Sequence, residues 1–176
     1  GLHVSGSVVT AGMSFRWTSL GAQATKTVLY QVDADSGALL ASAVIAADTA
    51  PSDSREHVWF TSAVERGLLF VRYTHNGATN LIEGHELRMA VGTSVVSSGL
   101  AGAGWVPWYR ALPGTPPSVG VLQLAYPSVV ACDLGGGRLG VIACAAGNRT
   151  AGQTIQWHLI ELNAVTLAFV ADRGPI

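Results

Sequence analysis

Lysine is almost missing from this chain: Lys26 stands alone beside nine arginines, and charged residues of both signs make up only 12% of the 176 positions. That is about half of the ~25% usual in a soluble domain. With a net charge of −1 and no basic run, the chain has no electrostatic footprint for nucleic acid. No apolar stretch approaches the roughly 18–20 residues of a membrane-spanning helix. Gly1 stands where a Met would open a full reading frame, without a signal-peptide pattern, which points to a processed or recombinant product or a piece of something longer. Two cysteines do not make a disulfide framework. Cys132 and Cys144 share one hairpin, but a turn centred on Gly136 sets Cys132 opposite residue 140 and away from Cys144. Two small buried thiols are expected, and they fix no redox compartment.

Catalytic signatures are also missing. There is no Gly-x-Ser-x-Gly elbow. The Gly135-Gly136-Gly137 run lacks the Lys-Ser/Thr and following helix of a phosphate loop, and reads as a tight turn. Asp33-Ala34-Asp35-Ser36-Gly37 resembles the start of a calcium loop, but no acidic residue completes it, so a hairpin turn is expected. Asp133, Glu161, Glu83 and Asp33 could serve glycoside hydrolysis only as a pair across a cleft, and the sequence pairs none of them. Glu83, His85 and Glu86 are the densest ionisable set. Alternation puts Glu83 and His85 on one face of a strand and Glu86 on the other. A solvated face with Arg88 as partner is the simpler reading. His158 lies mid-strand and reads as a hydrogen-bonded packing histidine. Asn148-Arg149-Thr150 forms a glycosylation sequon in a turn. No enzyme activity, catalytic residue, metal or cofactor is expected.

What is present is β-structure. Apolar residues reach 49%, and 21 glycines punctuate them, which excludes a disordered tail. Between Pro127 and Asp172 the runs SVVACDL, RLGVIACAA, QTIQWHLIEL and TLAFVAD are separated by Gly, Asn and Thr clusters. They read as a four-stranded antiparallel meander. The N-terminal segment carries the same text. Moved forward by 127 positions, Thr27 falls on Thr154, Val28 on Ile155, Tyr30 on Trp157, Val32 on Leu159, Leu40 on Leu167 and Ala41 on Ala168. A third copy lies between, as HVWFTSA, GLLFVRYT, TNLIEGHELRMAV and TSVVS. The chain 1–176 is thus read as one all-β domain with repeats at 1–47, 56–98 and 126–172.

Short antiparallel strands recurring at this period resemble the blades of the β-propeller superfamily. The hairpin VLYQVDADSGALLA resembles the outer hairpin of pyrroloquinoline-quinone-type propellers in its aspartate and its Ser36-Gly37 pair. The family's Lys and docking-Trp positions hold Ala38 and Ala41, so no quinone is implied. The resemblance implies three four-stranded antiparallel blades, a partial propeller or one completed by oligomerisation. A β-sandwich is the alternative for twelve short strands.

Residues 99–118, between the second and third repeats, are expected to form a long ordered loop, since their Gly and Pro residues exclude a long helix. Trp105, Trp108, Tyr109 and Arg110 there are the candidate binding residues, suited to stacking on a sugar or anchoring a protein. Two functions follow. One is a non-catalytic structural or recognition module of an extracellular or virion (phage-like) assembly, with a homo-oligomer or larger protein assembly as partner. The other is a carbohydrate-binding propeller, or a fragment of a propeller glycoside hydrolase, with a glycan as ligand.

Overall fold

Runs rich in Val, Ile, Thr and aromatics, cut by residues that tolerate tight turns, dictate strands rather than helices. The computed structural model describes residues 1–19, 22–48, 54–76, 81–103, 129–145 and 156–176. Among them there are twelve strands and no helix. The first sheet holds β1 (Leu2–Ser5), β2 (Val8–Ser19), β3 (Ala22–Asp33) and β4 (Leu39–Asp48). The second holds β5 (Ser54–Val64), β6 (Gly67–Asn76), β7 (Leu81–Val91) and β8 (Ser94–Ala103). The third holds β9 (Val129–Gly135), β10 (Arg138–Ala145), β11 (Gln156–Asn163) and β12 (Phe169–Pro175). Each is an antiparallel meander in sequence order, as the blade-like reading expects.

The hydrogen-bond register corrects the repeat offset. Val8 pairs with Asp33 and Arg138 with Asn163. Ala34 N donates to Ser7 O at 2.7 Å, and Ala164 N to Gly137 O at 2.9 Å. Gly37 N donates to Asp33 O, and Leu167 N to Asn163 O, both at 2.9 Å. Every one of these equivalences is 130 residues apart, so Tyr30 corresponds to Ile160 and not to Trp157. The difference of three is odd, and an odd slip exchanges the two faces of a sheet. Matching aromatic and branched residues by type missed what the turns fix.

The outer turns show the same logic. Asp33 Oδ1 accepts hydrogen bonds from Ser36 N at 2.7 Å and Ser36 Oγ at 2.6 Å. Asn163 Oδ1 accepts from Val165 N and Thr166 N, both at 2.9 Å. Each turn then needs a left-handed residue: Gly37 at φ 71° in the first, Leu167 at φ 58° in the third. Leucine there carries a strain that glycine avoids, but its side chain is fully buried against the second and third sheets.

Two cores join the three sheets in series. Leu29 of β3, with Ile45 of β4, packs on Leu68, Phe70 and Ala90 of the second sheet. The opposite side of that sheet, with Leu69, Val71, Leu87 and Met89, packs on Leu139, Val141, Ile160 and Leu162 of the third. Each such fully buried side chain contributes about 1.5–3 kcal/mol from removal of apolar surface from water. Polar clips set the alignment: Ala131 N donates to Ser62 Oγ at 3.0 Å, and Glu65 N to Asp133 Oδ2 at 2.6 Å. Neither core joins the first sheet to the third, so among the described residues the series is not closed.

Candidate functional site

Trp105, Trp108, Tyr109 and Arg110 lie outside the described residues. β8 runs to Ala103, so residues 99–103, read as the start of a loop, continue a strand. The backbone of Glu83 and His85 belongs to β7, with His85 in register with Tyr73. A register shift between Thr74 and His75 makes Glu83 the extra residue opposite them, so unbroken alternation does not run from Glu83 to His85. Glu86 and Arg88 pair as the simpler reading expects: Arg88 Nη2 lies 2.7 Å from Glu86 Oε2, and both are half-buried.

His158 Nδ1 lies 3.0 Å from Asp172 Oδ2, which ties β11 to β12. The ladder between those strands is irregular from His158 to Ile160, and the side-chain pair bridges that gap. Asp172 Oδ1 also accepts from Gly174 N at 2.8 Å. Arg173 grips Glu161 with Nε at 2.9 Å and Nη2 at 3.0 Å, a bidentate pair. The arginine's hydrogen bond holds the Glu161 carboxyl below its ordinary range, and the carboxylate in turn raises Arg173. Asp33 is lowered by the Ser36 hydroxyl and backbone N–H. Among the described residues no group of three or more His, Cys, Asp and Glu is placed to hold a metal. Asp172 and Arg173 went unnoticed in the sequence because only the bulged pairing of β11 with β12 brings them to their partners.

Cys132 pairs with Gly140 across the β9–β10 hairpin, as the turn at Gly136 dictates. Its thiol is free and exposed, not buried. The reason is its face: Ala131 points toward the second sheet, and Cys132 alternates to the side that no sheet covers among the described residues.

Among the described residues, an apolar face lies on the outer side of the first sheet. Register partners share a face of a sheet. Val4, Val9, Val32 and Leu39 form one such row across the first sheet, and Met13, Val28 and Val44 form another. This is the side away from Leu29 and the second sheet. Val4 and Leu39 are 63% and 62% exposed, and Val44 is 53% exposed. On the third sheet, Val130, Ile142 and Leu159 form a row on the side away from its core. These are the residue types of a packing face; Val4, Met13, Leu39, Val44 and Val130 are exposed, while Val28 in the middle of its row is buried. No family model, curated protein or solved structure matches the chain.

Proposed function

We propose that the chain is a non-catalytic structural or recognition module of a larger extracellular or virion assembly, built of blade-like sheets. The observation that carries this reading is the pair of apolar faces at the two ends of the series that no sheet covers among the described residues. Exposed contiguous apolar surface of this kind marks sites of association. Composition supports it: at 12% charged residues, the chain suits a surface largely shared with neighbours, as in a particle or surface layer. Of the charged groups that the geometry brings together, Glu161–Arg173 and His158–Asp172 tie β11 to β12, and Glu86–Arg88 pairs along β7, a structural use of charge.

Light scattering at micromolar concentration tests the reading. A species heavier than the 18.2 kDa chain is expected. A stable, soluble monomer would overturn it.

A further inference from the structure

The three sheets stack with one polarity. Counting from the start of the second strand of each sheet (Val8, Gly67, Arg138), the second residue is Val9, Leu68 or Leu139. Its register partners on the following strand are Val32, Ala90 and Leu162. These pairs mark equivalent faces, which we term fronts. The fifth residue is Gly12, Val71 or Ile142, partnered by Leu29, Leu87 and Leu159, and marks the backs. The front of the second sheet packs on the back of the first, through Leu68, Phe70 and Ala90 on Leu29. The front of the third packs on the back of the second, through Leu139 and Leu162 on Val71 and Leu87. The same interface is therefore made twice.

Among the described residues it leaves one front and one back unused. The front of the first sheet is the row of Val4, Val9, Val32 and Leu39, with Met13 and Val44 beside it. The equivalent Leu68 and Leu139 in the other sheets are 1% and 0% exposed. The back of the third sheet is the row of Val130, Ile142 and Leu159.

We infer that the front of the first sheet docks on the back of the third sheet of a second copy of this chain, and reciprocally, giving a closed ring of six sheets. This rests on the reading of the chain as an assembling module. Continuity with the two interfaces already formed selects the occupant: a front meets a back, not another front. The copy number follows from closure. Rings of blades close with about four to eight members, and two is the only whole number of three-sheet copies within that range. A heterologous contact that closes makes a finite ring, and one that does not makes a filament.

The test separates this pairing from association in general. Wild-type chain should sediment at twice 18.2 kDa. Val44→Glu places a charge on the free front and Val130→Glu on the free back, both at exposed positions where the fold itself does not need the side chain. Each variant alone should be monomeric, with the wild-type β circular-dichroism spectrum. Mixed in equal amounts, the two should regain a two-copy species, because one intact front meets one intact back. If Val44→Glu fails to fold, Met13→Lys on the same row takes its place. A wild-type monomer, or a species heavier than two copies, overturns the ring. Loss of association in only one variant, or no association on mixing, overturns the front-to-back pairing. In the latter two cases association of the wild type persists and the assembling-module reading survives.

Discussion

Gly12 offers a direct test of how the first two sheets meet. It lies on the back of the first sheet beneath the ring of Phe60, and a methyl group built there would overlap Cε1 and Cζ of that ring and stand 2.8 Å from Cε2. Phe60 is itself held, with its ring tilted 54° to that of Phe70 at a centroid distance of 5.6 Å. The backbone at Gly12 is ordinary strand without positive φ, so alanine meets no conformational strain. Free of the ring, Gly→Ala in a strand interior would gain about 0.5–1 kcal/mol. Overpacking a core contact costs about 1–3 kcal/mol. With the ring overlapped at two atoms the clash wins, and Gly12→Ala should lose up to about 2.5 kcal/mol, the difference between these two effects. Phe60→Leu lacks all three crowding atoms, so in that background the same change should be neutral or stabilising. A double-mutant cycle by urea unfolding, at one fixed chain concentration, should give a coupling within about 0.5–3 kcal/mol. Equal cost of Gly12→Ala in both backgrounds would show that the ring does not sit on this glycine.

Leu69→Ala empties the core between the second and third sheets, where Leu69 is fully buried. It should cost about 2–5 kcal/mol in chemical denaturation, and a loss below that range would argue against tight packing there. Leu167→Gly relieves a left-handed leucine, worth about 1–2 kcal/mol, but forfeits about 1.5–3 kcal/mol of burial. Net destabilisation is expected, and a higher melting temperature would refute it. The folded-state carboxyls of Asp33 and Glu161 are both lowered. Their contribution is complete above the ordinary carboxylate range and is lost as pH falls through the lowered folded values. Melting temperature should therefore drop in acid, and Asp33→Asn, imitating Asn163, should flatten part of that slope; an unchanged slope would refute the turn's role. In the monomeric Val44→Glu variant, whose third sheet is unchanged, Cys132 should react at once with a thiol reagent, since it is free and exposed in the single chain, and labelling only after unfolding would contradict its placement.

Turn chemistry and alternation were enough to read the architecture: twelve strands, three meanders, and a hairpin that keeps Cys132 opposite Gly140. These are local properties, set by which residues accept a turn and which prefer an extended chain. The Arg88 partner of Glu86 was legible for the same reason, since residues two apart on a strand share a face. What each face meets was not legible, because alternation distinguishes two sides without saying which is covered. Leu29 and Val44 belong to the same sheet and read alike, yet one is buried and the other half-exposed. The repeat offset failed similarly, since side-chain type tolerates a three-residue slip that the turn hydrogen bonds forbid. The stacking of fronts on backs, the exposure of Cys132 and the joining of His158 to Asp172 were decided only in three dimensions. Each depends on contacts between segments far apart in the chain, or on a bulge that breaks the alternation.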